Sequence, residues 1–245
     1  LPFRFLFPLK KIYTTFHGYE TKFPPTLKAK IVRKISEELS NGNICVGAFI
    51  KKWYGTKTDF VTYGGVETQN LKLKTQNFSK NRKRLSILLL GRLEEDNGAV
   101  IYLEALRILK GKNVPYNLTV LGDGKYKKRF EIYGVVKGFI VNLDKYIDRT
   151  DFMFASSYLS IFEGIIRGKI VFSVFQNRLK EDYLRLTPFK NYISIAGNGD
   201  LLVENLLLAR KNINKTHSMV RKAHNWANKK TWGEVVNMYL KLWKV

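Results

Sequence analysis

The sequence predicts an α/β protein built on a doubly wound parallel sheet, preceded by a second, incomplete α/β unit. Short apolar runs alternate along the chain with amphipathic stretches of helical period. The continuous apolar run at residues 86–90 is typical of a strand that is buried on both faces. Strands that alternate with helices predict parallel pairing, with helices covering both faces of the sheet.

The first unit contains three predicted strands and one predicted helix. The strands cover residues 11–16, 43–46 and 59–63. The helix covers residues 26–39, where apolar residues recur at i+4 spacing: Leu27, Ile31, Ile35 and Leu39. Residues 68–84 carry six basic side chains, no acidic one and no apolar periodicity, so we interpret them as a basic linker. The predicted domains are therefore 1–67 and 85–225, followed by a C-terminal segment, 226–245.

The second unit continues the alternation more regularly. Its predicted strands cover residues 86–90, 117–121, 152–155 and 170–175, and its predicted helices cover residues 99–109 and 160–167. The last stretch, from Gly233, places four apolar side chains on one helical face: Val236, Tyr239, Leu240 and Trp243. We expect this face to pack on the body of the protein, with a membrane-surface helix as the alternative.

Composition limits the class of protein. The chain has 245 residues, of which 45% are hydrophobic, and this excludes a disordered chain and favours one or two globular domains. Cys45 is the single cysteine, so an intramolecular disulfide is excluded and a cytoplasmic location is expected. The apolar start of the chain is interrupted by Pro2 and Pro8 and is too short to span a bilayer. Because the sequence begins at Leu1, we expect a piece of a longer chain.

The net charge is the strongest compositional signal. Lys and Arg number 43 against 20 Asp and Glu, which gives a net charge of +23. Such a field favours anionic partners, whether nucleic acid, anionic lipid or phosphorylated small molecules. A well-solvated lysine surface without a specific partner is an equally good interpretation. No helix-turn-helix, zinc-finger or RNP pattern organises the basic residues, which argues against a nucleic-acid partner.

Ligands of doubly wound sheets bind outside the carboxyl ends of the strands, and several candidate residues follow predicted strands. Arg92, with Gly91 before it, follows the run at 86–90; its guanidinium can hold a diphosphate, or it can pair with Glu94 or Glu95. Gly122 follows the strand at 117–121, where a plain turn is the alternative to close approach of a ligand.

Glu163 and His17 are the other candidates. Glu163 lies on a predicted helix among apolar residues, so its carboxylate needs a partner such as ribose hydroxyls, Arg167 or a helix end. His17 ends a predicted strand, where a structural histidine is the alternative to a catalytic one. No zinc-ligand spacing and no P-loop occur in the sequence, so we predict no metal site.

The order of motifs resembles that of the family 4 glycosyltransferases. The segments are FHGYE, NICVGAFIKKWYG, TYGGVE, ILLLGRLEEDNG, LTVLGDG and EGIIRGKIVFSVF, followed by the C-terminal TW…YLKLW. The resemblance covers nearly the whole chain. Members of that family are retaining enzymes of the GT-B fold, in which two Rossmann-like domains face each other across a cleft. The resemblance implies that most of the first domain is absent here and that the C-terminal helix crosses back to it.

The resemblance implies roles for the candidate residues. Arg92 would hold the diphosphate of a UDP- or GDP-hexose, Glu163 its ribose, and His17 the sugar near the reacting carbon. The remaining substrate contacts would come from Gly91, Gly122, Ser157, Leu159, Ser160 and Ile161. We therefore expect the Arg92 guanidinium and the Glu163 carboxylate to converge on one sugar nucleotide. The acceptor would be a glycan or a lipid-linked molecule, no metal would be needed, and the basic surface would suit work at the inner face of an anionic membrane.

Two positions depart from the family pattern. Asn97 stands where the family has a second lysine for the diphosphate, and Ala155 stands where it has a second glutamate for the sugar. A non-catalytic binding module on the same scaffold is therefore the alternative to an active hexosyltransferase.

Overall fold

The computed structural model describes residues 2–18, 23–67 and 83–244. The predicted linker at 68–84 lies outside the described residues, apart from its last two positions.

Strands and helices alternate through the described residues. The strands are β1 (Tyr13–Phe16), β2 (Gly42–Val46), β3 (Phe60–Thr62), β4 (Leu85–Leu90), β5 (Tyr116–Leu121), β6 (Val135–Val136), β7 (Phe152–Phe154), β8 (Ile170–Val174) and β9 (Ser194–Ala196). The helices are α1 (Pro2–Leu6), α2 (Leu27–Glu38), α3 (Phe49–Tyr54), α4 (Ala99–Gly111), α5 (Lys127–Glu131), α6 (Asp144–Ile147), α7 (Tyr158–Ile166), α8 (Arg178–Arg185), α9 (Gly199–Lys211), α10 (Ile213–Ala227) and α11 (Trp232–Trp243).

The larger sheet has the strand order β6-β5-β4-β7-β8-β9, and each neighbouring pair is parallel. The chain first moves outward from β4 to β6 and then returns to the other side of β4 at β7. The order therefore reverses between β4 and β7, which makes the carboxyl ends of these two strands the topological switch point of the sheet.

Side chains of β4 alternate between two hydrophobic cores. Leu85, Ile87 and Leu89 lie in one core with residues of α4 and α9. Leu88 lies in the other core with residues of α7 and α10. Because both faces of the sheet are covered by helices, the predicted doubly wound parallel α/β architecture is confirmed.

The first unit is a parallel sheet of order β1-β2-β3 in the described residues, flanked by α2 and α3. The predicted helix at 26–39 is present as α2, and the Thr26 hydroxyl caps it by accepting from the Ala29 N–H. Its apolar stripe, however, is not a core face: Leu27, Ile31 and Ile35 are exposed. The i+4 spacing therefore identified the helix but not the side that is buried.

The two units share a packed interface built by α3 and α8. Asp182 on α8 accepts a hydrogen bond from Trp53 Nε1 at 2.9 Å and pairs with Lys52 at 2.7 Å. Tyr63, which follows β3, donates to the Leu186 carbonyl at 2.9 Å. Leu179 of α8 lies in one hydrophobic cluster with side chains of α3. These contacts fix the carboxyl ends of both sheets relative to each other.

The C-terminal helix packs on the first sheet, but through other residues than predicted. Leu242 and Val235 are buried, whereas the predicted contact residues Val236, Leu240 and Trp243 are exposed. Tyr239 is the predicted residue that does reach the first unit: its hydroxyl lies 2.9 Å from Thr15 Oγ1. The predicted boundary at 226 also falls inside α10, which ends at Ala227.

Among the described residues, no helix combines the length and the apolar character needed to cross a bilayer.

Candidate functional site

The switch point gathers four of the predicted site residues. Gly91 follows β4 and Gly122 follows β5, and a Cβ placed on Gly122 would lie 1.9 Å from the Gly91 carbonyl oxygen. A Cβ on Gly91 would lie 4.0 Å from Ser160 Oγ, which in turn lies 2.7 Å from Ser157 Oγ. The two glycines therefore allow the strand ends and the first turn of α7 to approach closely.

Helix α7 begins at this crevice. Ser157 is its N-cap in extended conformation, but its hydroxyl contacts Ser160 and does not cap the backbone. The Tyr158 N–H donates to the Tyr183 hydroxyl at 3.1 Å. Leu159 is half exposed and Ile161 is buried, so a ligand can reach the backbone of the first turn but not the Ile161 side chain. The N-terminus of a helix favours an anion through its aligned N–H groups.

Arg92 lies at one side of the crevice, on a cavity of about 770 Å³. Its Nη2 pairs with Asp96 at 2.7 Å, so its partner is neither Glu94 nor Glu95, the residues proposed from the sequence. The side chain is largely exposed, which leaves the guanidinium accessible. Four carboxylates also line this Arg92 cavity: Glu94, Glu95, Asp96 and Asp123.

Asn97 has a structural role at the position where the family pattern has lysine. Its side chain is buried, and its Nδ2 donates to the Arg92 carbonyl at 3.0 Å. The amide therefore holds the turn that carries Arg92 and adds no charge to the site. Ala155, at the second divergent position, is buried in the core between the sheet and α7.

Lys180 was not identified from the sequence, although it lies close to the site. It is almost fully buried on α8, and its Nζ donates to the Ser156 carbonyl at 2.7 Å and lies 4.0 Å from the Tyr183 ring centre. Burial lowers the pKa of Lys180 to about 7; Asp96 acts to raise this pKa and Arg92 to lower it. The residue is thus a buried amine near the Arg92–Asp96 pair, and its pKa lies close to neutrality. Its i+4 relation to the buried Leu184 is the signal that could have indicated a buried lysine.

Glu163 faces a different cavity, of about 420 Å³. Of the partners that the sequence left open, the structure shows Arg167, which pairs with Glu163 and also with Asp144 at 2.9 Å. Burial raises the pKa of Glu163; Arg167 lowers this pKa, while Asp144 and Glu67 raise it. An ionised carboxylate has about four acceptor sites, so those that Arg167 leaves open can accept hydrogen bonds from the hydroxyls of a ligand.

His17 lies on a third cavity, of about 300 Å³, between the two units. Its side chain is exposed, and its ring makes no hydrogen bond with the part of the chain that the structure describes. Arg33 donates to the His17 carbonyl at 3.2 Å and so holds the backbone of the loop after β1.

In the described residues, Arg92 lines one of the cavities given above and Glu163 lines another. Each also pairs with an oppositely charged side chain one turn away on its own segment, Asp96 and Arg167 respectively. Their convergence on one sugar nucleotide stays a prediction. Their individual roles in binding the sugar nucleotide stay predictions.

In residues 2–18, 23–67 and 83–244, no group of three or more His, Cys, Asp or Glu side chains is arranged to hold a metal ion.

Comparisons with known proteins define the class of fold. Neither a protein-family model nor a curated protein matches the sequence. The chain is similar to HepE of Anabaena in complex with UDP and glucose, with a TM-score of 0.74 and 14% identity over 97% of this chain and 72% of HepE.

Two further solved structures show the same likeness. One is a glycosyltransferase of Rickettsia africae, with a TM-score of 0.70 and 14% identity over 95% of this chain and 70% of that one. The other is TarM of S. aureus, with a TM-score of 0.69 and 16% identity over 96% of this chain and 50% of TarM. The chain therefore has the Rossmann-like, GT-B fold of glycosyltransferases, as the sequence predicted.

Proposed function

We propose that the protein is a glycosyltransferase that transfers a hexose, with retention, from a UDP- or GDP-sugar to a glycan or lipid-linked acceptor, in the manner of family 4. The observation that carries this proposal is the crevice at the switch point, where Gly91, Gly122 and the first turn of α7 meet. HepE, which has the same fold, was solved in complex with UDP and glucose.

The proposed chemistry requires stabilisation of a departing diphosphate. As the bond between the anomeric carbon and the diphosphate oxygen breaks, negative charge develops on that oxygen and positive charge on the sugar. The acceptor oxygen bonds to the anomeric carbon, and its proton leaves with the diphosphate. Arg92 and the start of α7 supply positive charge near this point, and Lys180 adds to it when protonated. Glu163 would hold the ribose, His17 would contact the sugar, and no metal is required by this arrangement.

The first test concerns the contribution of Arg92 to donor binding. Replacing Arg92 by alanine should weaken UDP binding about tenfold to a hundredfold, because a charge-assisted hydrogen bond contributes about 1.5–3 kcal/mol. Titration calorimetry and the rise in Tm with UDP, GDP and their glucose conjugates measure the effect.

Arg185 is the matched control for this variant. It is similarly exposed and also has an i,i+4 acidic partner, Glu181 at 2.8 Å. Arg185→Ala should leave nucleotide binding unchanged. The proposal fails if millimolar nucleotides leave the Tm of the wild-type protein unchanged, or if both variants lose affinity equally.

An anionic membrane is the proposed source of a lipid-linked acceptor. Support comes from α2, where the exposed Leu27, Ile31 and Ile35 alternate with the exposed lysines Lys28 and Lys30. A surface that combines apolar and basic side chains matches an anionic interface.

Replacing Ile31 by serine should reduce cosedimentation with phosphatidylglycerol vesicles about fivefold. The reason is that roughly half of the Ile31 side chain is exposed in the protein and would be buried on contact with the membrane. Leu208→Ser is the control, since Leu208 is comparably exposed on α9, in the other unit. Binding that is equally strong to pure phosphatidylcholine, or equal losses in both variants, would contradict the membrane contact.

A further inference from the structure

The cavity next to His17 lies between the carboxyl ends of the two sheets, and we name it the interdomain pocket. Its wall includes Tyr63 after β3, Tyr158 and Leu159 of α7, Trp232 and Val235 of α11, and His17. Its volume is about 300 Å³. Because elements of both units contribute, the pocket exists only where the two units are packed together.

Tyr63 and Tyr158, two of the four tyrosines that line this wall, offer their rings and not their hydroxyls to the pocket. The Tyr63 hydroxyl donates to the Leu186 carbonyl at 2.9 Å, and the Tyr158 hydroxyl donates to the Tyr183 carbonyl at 2.9 Å. The hydroxyl groups are therefore already hydrogen-bonded within the protein. Aromatic ring surface is what remains for a ligand.

The small polar side chains of the wall are engaged as well. Ser157 Oγ lies 2.7 Å from Ser160 Oγ, and Thr62 Oγ1 accepts from the Gly64 N–H at 3.2 Å. Within the described part of the wall, the His17 imidazole and the Trp232 indole N–H are the side-chain polar groups that make no hydrogen bond inside the protein. The pocket is thus a largely apolar space in which these two side chains can hydrogen-bond a ligand, His17 as donor or acceptor and Trp232 as donor only.

We propose that the interdomain pocket binds the apolar part of an acceptor alcohol, an aromatic or short aliphatic group whose hydroxyl lies beside His17. The inference rests on the proposed function and names the class of acceptor. A cavity of about 150 Å³ holds benzene, so this pocket has room for two fused rings or a chain of about eight to ten carbons. A free sugar fits this wall less well, because each buried hydroxyl without a partner costs about 1–3 kcal/mol.

The experiment measures binding of 2-naphthylmethanol, n-octanol and glucose by saturation-transfer NMR and by the shift in Tm. The two apolar alcohols should bind saturably, with Kd on the order of 0.1–1 mM for a ligand of about 12 non-hydrogen atoms. Glucose should neither bind nor compete. His17→Ala should weaken the alcohols about fivefold through loss of one hydrogen bond.

A matched pair of variants tests the location of the ligand. Val235→Phe fills the pocket and should reduce affinity at least tenfold, whereas Val236→Phe changes the next residue on α11, which faces solvent, and should have no effect. If Val235→Phe does not fold, Trp232→Ala, which removes part of the wall, should also lower affinity at least tenfold.

Three outcomes would overturn the proposal: competition by glucose, equal losses in Val235→Phe and Val236→Phe, or no saturable binding of either alcohol. A UDP-glucose titration runs in parallel. Binding of UDP-glucose without binding of the alcohols would refute the acceptor pocket alone, and binding of the alcohols without any nucleotide would refute the proposed donor.

Discussion

Replacing Lys180 by methionine is expected to stabilise the protein by about 2 kcal/mol or more at pH 6.5 and by much less at pH 10. Burial lowers the pKa of Lys180 from 10.5 to about 7, a change that corresponds to about 5 kcal/mol of destabilisation at acidic and neutral pH. Methionine fills a similar volume without a charge, but it loses the hydrogen bond to the Ser156 carbonyl and the contact with Tyr183, so the net gain is smaller.

The sign of the pH dependence follows from proton binding. Between pH 7 and 10.5 the unfolded chain keeps the proton on Lys180, while the folded protein has released it. Because the unfolded state binds more protons, this residue makes stability rise with pH across that window and holds it at its minimum below pH 7. The methionine variant should therefore show a flatter curve. Urea unfolding at pH 6.5, 8 and 9.5 measures both effects.

Lys145→Met is the control, because Lys145 is exposed and also lies near a tyrosine ring, that of Tyr146, at 5.0 Å. It should leave stability and its pH dependence unchanged. A loss of stability in Lys180→Met at every pH, or an unchanged slope, would contradict the account. Under the proposed function, a diphosphate beside Arg92 would add negative charge near Lys180 and so favour its protonated form.

The sequence predicted the architecture well where local pattern decides it. The apolar run at 86–90 indicated a central strand, and β4 is that strand, buried against helices on both faces. The strand order could not be predicted, because a parallel strand carries no local signal for its neighbour. The buried faces of α2 and α11 could not be predicted from the sequence either, because the neighbouring elements determine which face of a helix is covered. Ile31 and Val236 fit the helical periodicity, yet both are exposed.

Part of the candidate site could be predicted from the sequence, because Gly91 and Gly122 each follow a predicted strand. Gly91 and Gly122 are brought together by the pairing of β4 with β5. The ion pairs were less predictable, because Arg92 and Glu163 each had several acidic or basic neighbours in sequence. Lys180 was missed because lysine is seldom fully buried, and its burial depends on how α8 packs against the segment after β7, where its Nζ donates to the Ser156 carbonyl.

The last prediction decides between the two sequence interpretations of Gly122, a ligand-binding glycine or a structural turn. Gly122→Ala should lower the free energy of unfolding by about 3 kcal/mol or more, since the added Cβ would lie 1.9 Å from the Gly91 carbonyl oxygen. The backbone has little freedom to move away, because the Gly91 N–H also donates to the Leu121 carbonyl at 3.1 Å. Urea unfolding measures the loss.

Gly111→Ala is the matched control, because nothing lies within 4 Å of a Cβ at that position, at the end of α4. Alanine there should be neutral or should stabilise the protein by up to about 1 kcal/mol, as helix propensity predicts. If Gly122→Ala kept full stability and only weakened UDP binding, the glycine would serve the ligand and not the contact between β4 and β5. A large loss of stability without nucleotide present would instead show that this glycine is required before any ligand binds, because the strand ends must meet to form the crevice.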